Sequence, residues 1–318
     1  MLARMVLDCL LIAAGFALLG KGASLFVDGA SSLAKRFNVT DLVIGLTVVA
    51  LGTSAPELVV SVLSSAAGNS GIALGNVLGS NIANICVVLG VAGLVRPISI
   101  RRGVFWREIP ICLGAGVLLL ALVIPTGSPY VIIRSEGILL LLGLAGYLIY
   151  MFRTAVSPRP TAVRVEQRRL GVAVVMTVLG LGGLVLGGEL IVRAAVRIAE
   201  ELGVSQEMIG LTIVALGTSL PELATTLFAI LRGKADMAIG NVVGSNIINT
   251  GLVLGTAATI RPLAVEQQVL SDAMIAVVAA LMLFLAMFTG KRQRLDRWEA
   301  AILLLLYVGY IAFTVWRG

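Results

Sequence analysis

The chain has 318 residues, of which 58% are hydrophobic and 13% are charged, and its mean hydropathy is +1.03. A water-soluble globule of this length has no interior large enough for so much apolar side chain, so soluble enzymes and nucleic-acid-binding domains are excluded in spite of the net charge of +7. The sequence therefore predicts a membrane protein. Its apolar runs are long enough to cross the hydrocarbon core as helices, which predicts the all-α class.

Ten apolar runs have the length of a transmembrane helix, five in each half of the chain. The first half covers residues 1–152, the second covers 171–318, and a polar, proline-bearing linker at 153–170 joins them. The predicted spans are residues 5–27, 42–66, 72–94, 108–124, 135–152, 171–195, 205–231, 236–258, 270–290 and 299–316.

The distribution of basic residues predicts the orientation of the chain. Most of the 24 lysines and arginines lie in the linker and in the loops that follow an odd-numbered span, so we expect these loops to be cytoplasmic and both termini to face outward. The expected location is the plasma membrane, or the inner membrane of a bacterium. Because each half has an odd number of spans, the second half enters from the opposite side, and the halves form inverted repeats.

Both halves carry the same two motifs. IGLTVVALGTSAPEL at 44–58 recurs as IGLTIVALGTSLPEL at 209–223, and LGNVLGSNIANICVVLG at 74–90 recurs as IGNVVGSNIINTGLVLG at 239–255. The offset is 165 residues throughout, which indicates an internal duplication. Inverted repeats usually form their substrate site near the bilayer midplane, where discontinuous helices meet. We therefore expect the motifs to form such a site.

Each copy of the first motif contains a carboxylate in the middle of an apolar span, Glu57 in one half and Glu222 in the other. A charge at that depth costs roughly 3 kcal/mol or more. The four motif-bearing spans contain no lysine or arginine to neutralise it. Thr53 and Ser54 precede Glu57 by four and three residues, so in a continuous helix their hydroxyls share its face.

Each glutamate follows a proline, Pro56 or Pro221. Pro56 cannot donate an N–H to the Gly52 carbonyl and clashes with it, so the helix must kink or unwind there. Gly52, like Gly217 in the second copy, makes this deviation cheaper. The sequence thus predicts broken helices at both GTSxPE motifs, with carbonyls near Ala50 released as oxygen ligands.

The second motif places polar side chains every fourth residue along an apolar helix. Together with the first motif they form an all-oxygen set in a chain without histidine. Hard cations such as Ca²⁺ and Na⁺ prefer such ligands. The stripe consists of Asn76, Ser80 and Asn84 in the first copy and of Asn241, Ser245 and Asn249 in the second, flanked by Gly75, Gly79, Gly240 and Gly244.

Structural interpretations of these residues compete with the cation site. A stripe of glycine and serine often serves helix packing, and a serine or threonine within a span usually bonds to its own i−4 carbonyl. We favour the cation site because the pattern is duplicated around two carboxylates. Ser61 and Thr226, four residues after the glutamates, are interpreted as packing residues, and Asp28, Glu189 and Arg193 as solvated groups at span ends.

With GTSAPE and GTSLPE each followed by a GN-x-x-GSNI-x-N block, the chain resembles the cation/Ca²⁺ exchanger superfamily, in particular its prokaryotic Na⁺/Ca²⁺ exchangers and calcium/sodium antiporters. The resemblance covers both repeats. It implies an antiporter that works by alternating access through movement of spans one and six. The ligand positions it implies are Glu57, Glu222, Thr53, Thr218, Ser54, Ser219, Ser80, Ser245, Asn84, Asn249 and the carbonyls of Ala50 and Ala215.

One position departs from the family pattern. The Na⁺/Ca²⁺ exchangers most like the archaeal representative carry an aspartate where this chain has Asn249. With asparagine at 84 and at 249, the site has only the two negative charges of Glu57 and Glu222. One Ca²⁺ or two monovalent cations neutralise these charges, so the sequence predicts nearly electroneutral exchange.

We expect a secondary antiporter that exchanges Ca²⁺ for Na⁺, with no enzymatic activity, no cofactor and no obligate protein partner beyond the bilayer. Exchange of Ca²⁺ for H⁺ is the alternative, because two facing glutamates in apolar surroundings can carry protons. A cation channel is the alternative from a different class, since carboxylates and carbonyls also line selectivity filters. The sequence offers no re-entrant filter loop, which favours the antiporter.

Overall fold

The computed structural model describes residues 2–124, 130–154, 168–203, 213, 215–290 and 293–317. These residues are almost entirely helical, and their strands are four segments of two residues each. The all-α class is therefore confirmed. Most of the linker predicted at 153–170 lies outside the described residues.

In the first half, several predicted spans consist of more than one helix. Turns of π-helix, each of which accommodates an extra residue, lie at Gly45–Val49, Asn84–Leu89 and Val104–Glu108. The α-helices are α1 (Leu2–Arg36), α2 (Asp41–Ile44), α3 (Ala50–Thr53), α4 (Ala55–Ala67), α5 (Ser70–Ala83), α6 (Gly90–Val95), α7 (Ile109–Val123) and α8 (Arg134–Thr154).

Most of this order of elements recurs in the described part of the second half, although no π-helical turn there matches Val104–Glu108. A π-helical turn at Asn249–Leu254 corresponds to the turn at Asn84–Leu89 of the first half. The α-helices are α9 (Leu170–Glu201), α10 (Ala215–Thr218), α11 (Leu220–Leu231), α12 (Ala235–Ile248), α13 (Gly255–Ile260), α14 (Gln267–Ala286) and α15 (Arg297–Arg317).

Within the described residues, eight helices are long and apolar enough to cross a membrane. A ninth candidate is the bent pair Asp41–Thr53 and Ala55–Ala67, whose two parts differ in direction by 47°. The predicted span 205–231 includes residues outside the described part, and its described helix α11 is too short to cross alone. Ten spans therefore stay a prediction, whereas a multi-pass helical membrane protein is established.

The first and sixth predicted spans are longer than expected. α1 continues nine residues past the predicted end at Val27, to Arg36, and α9 continues past 195 to Glu201. Asp28, which suggested the end of the first span, instead forms an ion pair with Arg232. Ser31, in the same extension, accepts a hydrogen bond from Lys234. Polar residues of this extension therefore have partners in the second half of the chain, and the helix continues past them.

Two short ribbons connect loops of the two halves. β1 (Ile98–Ser99) pairs antiparallel with β4 (Arg294–Leu295), and β2 (Val131–Ile132) pairs antiparallel with β3 (Leu263–Ala264). The first ribbon joins two loops predicted to be cytoplasmic, and the second joins two loops predicted to face outward. The structure thus agrees with the predicted division of these loops between two faces; which face is cytoplasmic stays a prediction.

The first helices of the two halves, α1 and α9, pack against each other in antiparallel orientation, as inverted repeats require. A Cβ atom on Gly15 would lie 2.9 Å from the Gly187 carbonyl oxygen, and one on Gly29 would lie 2.7 Å from the Thr177 nitrogen. Glycines therefore bring the two backbones into direct contact, as is common between membrane helices.

The helices that carry the second motif form the centre of the molecule. In Ala235–Ile260, 94% of the most apolar stretch is buried, and in Ser70–Val95 the share is 78%, against 22% to 39% in the other six long candidate spans. The peripheral helices therefore offer apolar side chains to lipid. The motif helices are buried by protein, where polar side chains are tolerated at membrane depth.

The contact between α1 and α9 predicts opposite results for two neighbouring glycines. A Cβ atom on Gly180 would lie 2.4 Å from the Phe26 nitrogen, whereas none of the described atoms lies within 4 Å of a Cβ on Gly182. Gly180→Ala should lower the midpoint of thermal unfolding in detergent, because overpacking costs about 1–3 kcal/mol. Gly182→Ala should leave the midpoint unchanged or raise it. Equal midpoints would contradict the close contact.

Candidate cation site

The first motif is broken at Ser54, which has φ −82° and ψ 7° and separates α3 from α4. Pro56 lies in the first turn of α4, where its missing N–H leaves no intrahelical bond unmade. The second motif has the same form, with Ser219 at φ −87° and ψ 2° between α10 and α11. Glu57 and Glu222 therefore occupy the first turns of α4 and α11, where the positive end of the helix dipole favours a carboxylate.

Both carboxylates are completely buried and accept bonds from serine hydroxyls. Ser80 Oγ donates to Glu57 Oε1 at 3.5 Å, and Ser245 Oγ donates to Glu222 Oε1 at 3.5 Å. The second oxygen of each carboxylate, Oε2, is buried and has no hydrogen-bond partner. Each glutamate thus retains one acceptor for another ligand.

Three hydroxyls from the two copies of the first motif lie against the glutamate of the other repeat, whereas the buried Ser219 hydroxyl has no hydrogen-bond partner. Ser54 Oγ donates to Glu222 Oε1 at 3.3 Å, Thr53 also lies against Glu222, and Thr218 lies against Glu57. This differs from the expectation that Thr53 and Ser54 would share a helix face with Glu57. The break at Ser54 turns α4 away from α3, so the i, i+4 relation of a continuous helix does not hold. The exchange of partners joins both repeats in one site.

The first asparagine of each stripe braces the glutamate helix of its own repeat. Ser61 and Thr226, which were predicted to be packing residues, accept hydrogen bonds from these asparagines. The bonds run from Asn76 Nδ2 to Glu57 O at 3.1 Å and Ser61 Oγ at 2.8 Å, and from Asn241 Nδ2 to Glu222 O at 3.3 Å and Thr226 Oγ1 at 3.0 Å.

The last asparagine of each stripe begins a π-helical turn. Asn84 and Asn249 are fully buried, and their Oδ1 atoms have no hydrogen-bond partner. The turn of Asn84 packs against α11, which carries Glu222, and the turn of Asn249 packs against α4, which carries Glu57. Unpaired amide and carboxylate oxygens of both repeats therefore lie on elements that touch, and oxygen-only sets suit Na⁺ and Ca²⁺.

The predicted carbonyl ligands and helix-breaking glycines lie in the short helices α3 and α10, which precede the two breaks. The Ala50 carbonyl is not released by the break, because it accepts the Ser54 N–H at 3.0 Å. Ala215 begins α10. A Cβ atom on Gly52 would lie 3.0 Å from Phe26 Cζ, and one on Gly217 would lie 2.1 Å from Val192 Cγ2. These glycines thus allow the motif helices to approach α1 and α9.

Comparison with known proteins decides the family. The family described as sodium/calcium exchanger protein matches the chain over residues 8–153 and 172–316. The chain is 38% identical to the putative antiporter CaxA of Alkalimonas amylolytica, over 96% of this chain and 98% of that protein. It is 33% identical to the sodium/calcium exchanger MaX1 of Methanosarcina acetivorans, over 95% and 97%. A solved structure of the sodium-calcium exchanger NCX_Mj matches with a TM-score of 0.84 at 32% identity, over 97% of this chain and 99% of that one.

The chain belongs to the sodium/calcium exchanger family. The two matched segments correspond to the two halves of the chain, so the family assignment covers both copies of the motifs. The resemblance drawn from those motifs is confirmed. The protein is a membrane transporter of the cation/Ca²⁺ exchanger class, with cation exchange as its activity.

A cavity lies against the elements that carry both glutamates. It has a volume of about 440 Å³, and it is lined by Pro56 of α4, by Glu189 and Arg193 of α9 and by Thr218 of α10, among others. Thr218 is partly exposed, whereas Thr53, its equivalent in the first repeat, is 0% exposed. Glu189 and Arg193, interpreted as solvated span-end groups, form an ion pair beside this cavity.

Two buried asparagines that contact the stripe were missed from the sequence. Asn81 and Asn246 lie one residue after Ser80 and Ser245, off the four-residue spacing that defined the stripe. The signal that could have identified them is the duplication itself, because both copies carry asparagine at this position.

The cavity beside Thr218 predicts different accessibility for the equivalent threonines. In a background with Cys9, Cys86 and Cys112 replaced by alanine, Thr218→Cys should react with a small water-soluble thiol reagent. Thr53→Cys should react much more slowly, because position 53 is sealed by protein. Labelling yield by mass spectrometry without added cations measures the difference. Equal labelling of the two variants would contradict the difference in exposure between the two positions.

Proposed function

We propose that this exchanger transports Ca²⁺ in one direction and Na⁺ in the other, at a shared site formed by Glu57 and Glu222. The observation that carries the proposal is the pair of buried carboxylates whose Oε2 atoms have no partner in the protein. Relatives support Na⁺ as the coupling ion, since MaX1 and NCX_Mj are named sodium/calcium exchangers.

The ligands proposed for the cations are the unpaired oxygens and the hydroxyls around them. Glu57 and Glu222 act from both sides as the central ligands. The hydroxyls that already approach the carboxylates complete the coordination when a cation draws these oxygens inward. Ala50 and Ala215 take part through their main-chain carbonyl oxygens. The assisting residues are Thr53, Thr218, Ser54, Ser219, Ser80, Ser245, Asn84 and Asn249.

Alternating access in this proposal results from movement of α1 and α9 against the central motif helices. Both are long, largely lipid-facing and in glycine contact with each other, so they can move as a unit. Gly52 and Gly217 support this proposal. Because they have no side chain, they let α1 and α9 pass close to the motif helices as the pair moves. The proposed topology has ten spans in two inverted repeats in the plasma or inner membrane, with both termini outside.

Replacement of either glutamate by glutamine tests the shared site. Glutamine keeps the shape and removes the charge, so Glu57→Gln and Glu222→Gln should each abolish Ca²⁺ exchange in proteoliposomes while the protein stays folded. Glu136→Gln is the matched control, because Glu136 lies at the start of α8 and bonds to the Ile133 N–H. Near-normal exchange by either variant at position 57 or 222 would remove that residue from the site.

The coupling ion is tested by gradients imposed separately on ⁴⁵Ca²⁺ flux. Na⁺ gradients should drive Ca²⁺ uptake, and pH gradients alone should not. Uptake driven only by a pH gradient would show Ca²⁺/H⁺ exchange at the same pair of glutamates. Conductance steps without a counter-ion requirement would show a channel and would contradict antiport.

The charge of the site predicts the stoichiometry. Glu57 and Glu222 contribute two negative charges, and Asn84 and Asn249 contribute none, so one Ca²⁺ or two Na⁺ leave the occupied site neutral. A third Na⁺ would leave a net charge in a desolvated site, which costs several kcal/mol. Ca²⁺ flux in proteoliposomes clamped with K⁺ and valinomycin should therefore depend little on voltage, once K⁺ is shown not to be transported. Steep voltage dependence with the sign of one extra positive charge per cycle would show three Na⁺ per Ca²⁺.

A further inference from the structure

Asn81 of α5 and Asn246 of α12 are equivalent residues of the two repeats, and they meet at the centre of the molecule. Both are buried, with 5% and 4% of their surface exposed. Neither is a ligand in the function proposed above. Both contact side chains that are, since Asn81 touches Asn249 and Asn246 touches Asn84.

The four asparagines form a connected set of amide bonds. Asn84 Nδ2 donates to Asn246 Oδ1 at 3.0 Å, and Asn249 Nδ2 donates to Asn81 Oδ1 at 3.2 Å. Asn246 Nδ2 in turn donates to the Asn81 main-chain carbonyl at 3.1 Å, and Asn81 Nδ2 donates to Thr250 Oγ1 at 3.3 Å. Every amide nitrogen in the set therefore has an acceptor.

The main-chain carbonyl of Asn81 determines how the amide groups of Asn246 and Asn84 are oriented. A carbonyl can only accept, so Asn246 must turn its nitrogen toward it and its Oδ1 toward Asn84. Asn84 must then donate with Nδ2, which leaves its own Oδ1 without a partner. Asn249 donates to Asn81 with Nδ2, so Asn249 Oδ1 is also left without a hydrogen-bond partner. The two amides are thus oriented with nitrogen toward the neighbouring asparagine and oxygen free.

Orientation decides whether an asparagine attracts or repels a cation. Its oxygen is an acceptor that can coordinate Na⁺ or Ca²⁺, whereas its NH₂ group carries partial positive charge and can only donate. The Asn84 turn packs on the helix of Glu222, and the Asn249 turn packs on the helix of Glu57. A reversed amide at either place would present the wrong end to a cation held by the carboxylates.

We propose that Asn81 and Asn246 are positioning residues of the cation site. They hold the amides of Asn249 and Asn84 in the orientation that presents oxygen, and they do not touch the cation themselves. The proposal rests on the ligand role of Asn84 and Asn249 in the proposed function. Partners that orient metal ligands typically contribute about 10- to 100-fold to metal affinity, and an effect of this size is expected here.

A double-mutant cycle tests the pair Asn84 and Asn246. Asn84→Ala and Asn246→Ala, measured singly and together, should each raise KM for Ca²⁺ in ⁴⁵Ca²⁺ flux by about tenfold or more. The double variant should be no worse than Asn84→Ala, because Asn246 acts only through the Asn84 amide. The pair Asn76 and Asn246, which share no hydrogen-bond partner, is the control and should give effects that multiply. The size-exclusion profile and thermal midpoint of each variant are measured alongside.

The outcomes separate this inference from the proposed function. If Asn84→Ala leaves KM unchanged, the ligand role of Asn84 fails and the positioning role fails with it. If Asn84→Ala raises KM but Asn246→Ala does not, or if their effects multiply, the positioning role is overturned and the proposed site stands. Should Asn246→Ala aggregate, Asn246→Leu, which keeps the approximate shape of the side chain, takes its place in the cycle with the same expected result.

Discussion

The structure of this exchanger depends on the burial of two carboxylates in a membrane-embedded core. Glu57 and Glu222 are completely buried, and neither has an ion pair within the described part of the chain. Charge at such a place is expensive, so the hydroxyl donors and helix N-termini around the two carboxylates help to stabilise it. The breaks at Ser54 and Ser219 set both glutamates in first helical turns, and Ser80 and Ser245 of the second motif donate hydrogen bonds to their carboxylates.

The pairing of each carboxylate with hydroxyls of the other repeat follows from the inversion. Two antiparallel copies of one broken helix meet at their breaks, so the residue before each break faces the carboxylate after the opposite break. The site therefore exists only when both repeats are in place. The two repeats are nevertheless not in the same environment, because the cavity reaches Thr218 while Thr53 is sealed.

Much of this arrangement could be predicted from the sequence. The duplication, the helix breaks and the stripe containing Ser80 and Ser245 can be found from local spacing rules and from comparison of the two halves of the sequence. The ends of α1 and α9 could not be predicted, because Asp28 appeared to end the first span and its partner Arg232 lies in the other half of the chain. The exchange of partners across the repeats was also missed, because helical spacing describes a single continuous helix. The roles of Asn81 and Asn246 depend on contacts 162 to 168 residues apart in sequence, which no local spacing reports.

The central claim is that oxygens of both repeats bind one cation between the two glutamates. An anomalous difference map from crystals soaked in Ca²⁺ tests it most directly. We expect one principal peak that contacts carboxylate oxygens of Glu57 and of Glu222, at Ca²⁺–oxygen distances of about 2.3–2.6 Å. A principal peak that contacts only one of the two carboxylates, or that lies away from both, would contradict the account.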